Sequence, residues 1–304
     1  MECAAGTVQK GVIMAQQSRE GLIRKIQKQR KMMNFLYGLS KYSSAKSGKE
    51  IYLETEAGTV RTLWYGFEDK TVKPVFFDMH GGGFILMNAE ADEAMNVSIH
   101  QITGCKVISI DYALAPEYPF PIAVNQVYAV VKEVHKNAAR YGIDPERMAI
   151  GGHSAGGNLA AGACIQSVRK GEFHFACQML DYPPLDLATS PYDKPCPKGA
   201  IKPGQAATYD ACYINPAQAK DPLVSPVYAE KEELSKLPPT LILLAGYDSL
   251  HDEGAVYARL LEEAGVVVEL HEFPEEKHGF TYFRSKALPR AMELITGFLD
   301  KYLR

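Results

Sequence analysis

The chain has 304 residues, 33 basic against 36 acidic side chains, a net charge of -3 and 46% hydrophobic residues. That composition belongs to a globular protein of one large or two small domains, able to bury its core without disulfides or metals. The near balance of charge leaves no global field to draw a phosphate backbone, so nucleic acid is not an expected partner. Cysteines at 3, 105, 164, 177, 196 and 212 include no C-x-x-C pair and read as free thiols of a reducing compartment. The first residues show no secretory signal and no run is long enough to span a bilayer. A cytoplasmic protein without stable membrane insertion is expected.

Residues 1–50 carry ten Lys or Arg against three acids, a charge asymmetry that marks an appendage. Within it Leu22, Ile23, Ile26, Met33 and Leu36 fall near one side of a helix, and Arg24, Lys25, Lys28 and Lys31 populate the other. Next come two strands, Ile51–Thr55 and Val60–Phe67, with a turn at Ala57 and Gly58. Short apolar runs then alternate with helical stretches, the pattern of a mostly parallel sheet covered on both faces. The expected buried strands are Val75–Met79, Lys106–Ile110, Met148–Gly152, Cys177–Asp181, Thr240–Ala245 and Val266–Phe273. The expected helices are Ala91–Thr103, Ala123–Tyr141, Ala155–Lys170, Glu253–Ala264 and Ala287–Tyr302. Between about Tyr182 and Pro239 the alternation stops and Pro, Tyr and Asp become frequent, as in a functional insertion.

The sharpest motif is MAIGGHSAGG at 148–157, where a strand runs into Gly152-His153-Ser154-Ala155-Gly156 and a helix of small residues follows. This is G-x-S-x-G in a strand-to-helix context. A nucleophile on so sharp a turn has a strained backbone, and glycines at 152 and 156 remove the collisions that bulkier neighbours would make. The turn holds Ser154 Oγ above the sheet at a helix N-terminus. Upstream, His80-Gly81-Gly82-Gly83-Phe84 follows the strand ending at Met79. Bare glycine amides can approach a reacting carbonyl, so Gly82 and Gly83, with Ala155, are the expected oxyanion donors. A phosphate-binding turn is the weaker alternative, because G-x-G-x-x-G fails at Leu86 and no G-K-[ST] is present.

A serine hydroxyl needs a base, and the base an orienting carboxylate. His278 in EEKHGF follows the last expected strand and is the expected base. Asp248 in AGYDSLHDEG is the expected carboxylate, giving the chain order Ser, Asp, His. Asp252 is its nearest rival, although a place at a helix start suits Asp252 and Glu253 to the helix dipole. His153 reads as structural, since a side chain just before the nucleophile on an elbow points away from it. His80 is expected to brace the glycine loop and His251 to cap or wall a pocket. His100, His135, His174 and His271 read as core or surface. No H-E-x-x-H occurs, so neither a metal centre nor a cofactor is expected. Cys105 and Cys164 read as packing. Tyr182, Tyr192, Tyr209 and Tyr213 read first as packing of the insertion, second as surfaces for sugar or aromatic alcohols.

These residues resemble the hormone-sensitive-lipase-like (bacterial family IV) esterases of the α/β-hydrolase superfamily. The likeness rests on HGGGF at 80–84, DYALAPEYPFP at 111–121, GHSAGGN at 152–158, DSLHDEG at 248–254 and HGF at 278–280, and covers residues 50 to 304. His153, Ala113, Tyr118 and Ser249 stand where that family usually has Asp or Thr, Arg, His and Pro, and no glycine closely follows HGGGF. The resemblance implies an α/β fold with a mostly parallel, eight-stranded sheet flanked by helices. It also implies a small cap made of residues 1–49 and an insertion at about 183–236. It implies the triad Ser154, Asp248 and His278 in a serine carboxylesterase that forms an acyl-enzyme. The expected substrate is a small short-chain ester, acetyl esters first. An amidase or arylformamidase with the same triad is the alternative, and a non-catalytic receptor on this fold a lesser one. A homodimer is a further implication of the family.

Overall fold

The computed structural model describes residues 20–32 and 47–304. Residues 20–32 form helix α1 in the first of two units, Met1–Ala45; everything else described belongs to the second, Lys46–Arg304. On α1, Ile26 is buried and Leu22 and Ile23 are half-buried, while Arg24, Lys25, Lys28 and Lys31 are exposed. The expected contributions of Met33 and Leu36, and Cys3, lie outside the described residues.

In the second unit, β1 (Lys49–Thr55) and β2 (Gly58–Tyr65) form the expected hairpin. Its turn residues are Glu56 and Ala57, one place earlier than expected, and Gly58 opens β2 at a φ of 93°. The remaining strands are β3 (Lys73–Met79), β4 (Lys106–Asp111), β5 (Ile143–His153), β6 (Cys177–Asp181), β7 (Thr240–Tyr247) and β8 (Val268–Lys277). They form one eight-stranded sheet in the order β1-β2-β4-β3-β5-β6-β7-β8. β2 is antiparallel to both of its neighbours, and every pair from β4 to β8 is parallel. Helices cover both faces of such a sheet, which explains the unbroken apolar runs in its central strands. Helices α2 (Glu93–Thr103) and α9 (Leu288–Leu303) lie on one face; α3 (Ile122–Lys136), α5 (Ala155–Lys170) and α8 (His251–Glu263) lie on the other. Ile295, Phe298 and Leu299 of α9 share one buried cluster with Phe76, Val107, Met179 and Leu241 of the sheet.

Three elements depart from expectation for local reasons. The helix expected over Ala123–Tyr141 breaks at Asn137, whose side-chain amide donates to the Glu133 carbonyl at 3.0 Å and Glu133 Oε1 at 2.6 Å. A separate turn, α4 (Ala138–Tyr141), follows and ends at Gly142. β5 starts at Ile143 rather than Met148, because Ile143 pairs with Lys73 across an irregular register. β8 runs on through Pro274, which a strand at the sheet edge tolerates because a missing N–H there breaks no ladder.

The stretch between β6 and β7 contains α6 (Pro203–Tyr213), α7 (Lys231–Leu234) and short 3₁₀ turns at Pro216–Gln218 and Pro226–Tyr228. The Asn158 side-chain amide on α5 donates to the carbonyls of Pro184 at 2.8 Å and Val224 at 2.6 Å, tying both ends of this stretch down. Glu253 at the start of α8 accepts the Leu185 amide at 2.7 Å and pairs with Lys194, so it anchors the insertion as well as facing the helix dipole. No described helix is long and apolar enough to cross a membrane. Cys105, Cys164 and Cys177 are buried thiols.

Candidate active site

Parallel strands deliver their C-terminal ends to one edge of the sheet, and the chemistry of this chain gathers there. β3 ends at Met79 before the glycine loop, β5 at His153 before Ser154, β7 at Tyr247 before Asp248, and β8 at Lys277 before His278.

Ser154 sits between β5 and α5 with φ 53° and ψ -119°. A residue bearing a Cβ is strained there by on the order of 1–3 kcal/mol. Its amide donates to the Asp181 carbonyl at 2.8 Å and its carbonyl accepts the Asn158 amide at 3.2 Å, so neighbouring elements hold the turn from both sides. The flanking glycines are required by contact. A Cβ on Gly152 would stand 2.4 Å from the Met79 carbonyl oxygen, and one on Gly156 only 1.9 Å from it.

His278 Nε2 lies 2.9 Å from Ser154 Oγ and its Nδ1 lies 2.6 Å from Asp248 Oδ2. A carboxylate can only accept, so Nδ1 carries the hydrogen and Nε2 presents its lone pair to the serine hydroxyl. Asp248 is 2% exposed, and its other oxygen accepts the Leu250 amide at 3.2 Å. Asp252, the rival carboxylate, is exposed and lies 3.0 Å from His251 Nδ1. The three residues expected from the sequence are therefore joined by direct hydrogen bonds.

The glycine loop comes back over this edge. Gly82 and Gly83 have φ of 108° and 59°, and the Gly82 carbonyl accepts the amides of Ile85 and Leu86 at 3.2 and 3.0 Å. Among the described residues, no acceptor takes the amides of Gly82, Gly83 or Ala155. His80 braces the loop as expected: its Nδ1 donates to the Gly81 carbonyl at 2.7 Å and its ring stacks on Tyr112 at 4.3 Å. Burial lowers its pKa, which keeps the imidazole neutral. Phe84 stacks on Tyr213 of α6 at 3.8 Å, and the Tyr209 ring packs so closely on Gly83 that a Cβ there would stand 2.6 Å from it. Tyr182 is buried with its ring edge-on to His278 at 4.8 Å, whereas Tyr192 is exposed. Three of the four tyrosines thus pack at the site.

Sequence reasoning missed what lies behind Ser154, His278 and Asp248. His153 Nδ1 is 2.8 Å from Asp181 Oδ2, and the Thr281 hydroxyl donates to the same oxygen at 2.6 Å. Tyr182 OH hydrogen-bonds Thr281 in turn. Asp181 therefore ties the serine turn, through its own carbonyl and His153, to the loop that follows His278. Burial alone would lower the His153 pKa, but Asp92, Asp181 and Asp78 around it raise it. The signal was a carboxylate closing an apolar strand run, CQMLD at 177–181 and likewise VFFDM at 75–79. Of the other histidines, His100 Nδ1 contacts the Cys105 carbonyl at 2.8 Å and His174 pairs with Glu146 at 3.3 Å.

Residues 76–282 match a family model described as alpha/beta hydrolase fold. The carboxylic ester hydrolase LipN of Mycobacterium tuberculosis is 34% identical over 74% of this chain, and the match spans only 61% of LipN. Carboxylesterase NlhH of the same organism is 33% identical over 72% of this chain and 70% of NlhH. A thermostable esterase from Pseudomonas putida ECU1011 superposes with a TM-score of 0.83 at 26% identity, covering 92% of this chain and 90% of that one. With these likenesses added to the sheet order and the turn at Ser154, the chain belongs to the hormone-sensitive-lipase-like carboxylesterases, a serine hydrolase family of the α/β-hydrolase superfamily.

Proposed function

We propose that this protein hydrolyses small short-chain acyl esters, acetyl esters first, through Ser154, His278 and Asp248 and an acyl-enzyme. The observation that carries the reading is the continuous hydrogen-bond chain from Ser154 Oγ through His278 to the buried Asp248. Asp248 holds the imidazole in the tautomer whose Nε2 accepts a proton. Ser154 Oγ attacks the ester carbonyl carbon as its proton passes to Nε2. The amides of Gly82, Gly83 and Ala155 stabilise the resulting oxyanion. Collapse breaks the bond to the alcohol, which leaves with the proton from His278. Water, deprotonated by the same nitrogen, then attacks the acyl-enzyme, and collapse returns Ser154 and releases the acid.

The preference for short acyl groups is supported by crowding. Tyr209 from the insertion sits against Gly83, beside the amides assigned to the oxyanion. We read residues 183–236 accordingly as a small cap over this edge. The test is turnover of p-nitrophenyl esters from C2 to C12, acetylated sugars included, together with Ser154→Ala. Acetate to butyrate esters should turn over fastest; a maximum at C10 or C12 overturns the chain-length reading. Ser154→Ala should lose about 10⁴-fold or more in kcat and all labelling by a fluorophosphonate, and wild-type turnover in that variant overturns the triad.

A further inference from the structure

Beneath the Ser154 turn, on the α2 side of the sheet, lies a buried cluster that the ester chemistry does not use. Asp78 on β3, Asp92 at the start of α2, His153 at the end of β5 and Asp181 at the end of β6 are each at most 4% exposed. One ligand atom from each of Asp78, Asp92 and His153 lies within 4.8 Å of the others. Asp78 Oδ1 faces His153 Nε2 at 4.0 Å, too far for a hydrogen bond.

The polar accounting of this cluster is one-sided. Among the described residues, Asp78 Oδ1, Asp92 Oδ2, Asn96 Oδ1 and Asp181 Oδ1 have no hydrogen-bond partner. All four are acceptors. Among the described residues, the ion pairs of Asp78 and Asp181 run to His153. Three buried carboxyl groups face a single imidazole in a medium that solvates charge poorly. A divalent cation supplies the partner that these oxygens lack.

The side chains are also aimed. Asp78 Oδ2 accepts the Asn96 side-chain amide at 2.8 Å and the Ser109 hydroxyl at 2.9 Å, which turns Oδ1 inward. His153 Nδ1 bonds Asp181, which turns Nε2 inward. An imidazole oriented by a carboxylate on its far nitrogen is how proteins prepare a histidine to bind metal. Two carboxylate oxygens and one imidazole nitrogen suit a borderline divalent ion such as Zn²⁺ or Mn²⁺. Metal–ligand bonds of about 2.0–2.2 Å set the ligand atoms of a tetrahedral ion about 3.3–3.6 Å apart, so closure by about 1.5 Å at most brings all three onto it.

We propose that Asp78, Asp92 and His153 bind one divalent transition-metal ion, with Asp181 orienting His153. The ion touches no reacting atom. It fastens β3, α2 and β5 together where the glycine loop and the serine turn begin, and it does not depend on which ester is cleaved.

The test uses the full chain, stripped with a chelator and then given Zn²⁺ or Mn²⁺ alone. Elemental analysis after gel filtration should find one ion per chain. The thermal midpoint should rise by on the order of 5 °C when free metal is about a hundredfold above Kd. Asp78→Asn and Asp92→Asn should each abolish the stoichiometric ion and the shift. An ion that survives both substitutions, or a wild-type chain that neither retains metal nor shifts its midpoint with either ion, overturns the proposal. If the variants fail to fold, anomalous X-ray scattering from zinc-soaked wild-type crystals decides the matter. A peak between Asp78 Oδ1 and His153 Nε2 supports it, and the lack of one overturns it.

Discussion

Replacing a helix glycine with alanine ordinarily stabilises a protein by about 0.5–1 kcal/mol, because alanine loses less backbone freedom on folding. Gly156, in the first turn of α5, should do the opposite. The new methyl would stand 1.9 Å from the Met79 carbonyl oxygen, 2.5 Å from its carbon and 2.6 Å from the His80 carbonyl oxygen. Carbon and oxygen approach to about 3.3 Å at closest in ordinary contacts, so the end of β3 and the start of α5 must part by more than about 1 Å. Neither can move alone without consequence, since β3 leads into Gly82 and Gly83 and α5 follows directly from Ser154. Overpacking of this kind costs about 1–3 kcal/mol, and a 1 Å misplacement of reacting groups costs about 10²-fold in rate. Gly297 in α9 is the internal control, since nothing lies within 4 Å of a Cβ built there. Gly297→Ala should gain about 0.5–1 kcal/mol and leave kcat/KM unchanged. Urea unfolding and kcat/KM for p-nitrophenyl acetate read both quantities. A Gly156→Ala enzyme that matches Gly297→Ala in stability and retains wild-type kcat/KM would refute the steric account of the turn.

Three further outcomes follow from the site and the insertion. Asp248→Asn keeps the shape of the carboxylate but favours the wrong imidazole tautomer, so kcat should fall about 10⁴-fold with the circular dichroism spectrum unchanged. Thr281→Val removes the hydroxyl shared by Asp181 and Tyr182. A lost hydrogen bond to a charged group of about 1.5 kcal/mol predicts roughly a tenfold drop in kcat with KM within about twofold, and Thr281→Ser should restore it. Asp210 on α6 is pushed up from 3.8 to about 6 by burial, with Lys194 opposing. The folded chain keeps a proton there that the unfolded chain releases, so this residue's contribution to stability falls as pH rises from about 4 to about 6 and stays low above. Asp210→Asn should flatten that fall in a series of urea titrations; an unchanged pH profile would argue against the burial of its charge.

The fold was legible wherever periodicity and punctuation agreed. Ala155–Lys170 and Cys177–Asp181 have the expected ends because each is bounded by a sharp local signal, the serine turn and Gly171 for the helix, a polar residue after an apolar run for the strand. Boundaries failed where a tertiary partner decided them. The early start of β5 depends on Lys73, distant in sequence, and the passage of β8 through Pro274 depends on that strand being an edge. Ser154, Asp248 and His278, which the structure joins by hydrogen bonds, could be picked out because each follows a strand and carries its own short motif. The cluster behind them showed in sequence only as carboxylates late in apolar strand runs, since Asp78, Asp92 and Asp181 carry no shared spacing. The parallel register sets Asp78 beside Gly151 and His153 beside Asp181, and the start of α2 adds Asp92.

The left-handed backbone at Ser154 separates two properties that usually travel together in a protein. A residue without a Cβ would relax at that apex, so the hydroxyl proposed as the nucleophile sits on the residue least comfortable in its place. Selection of this chain for heat endurance alone, blind to turnover, would drift towards glycine at 154 and return a tougher, inert molecule.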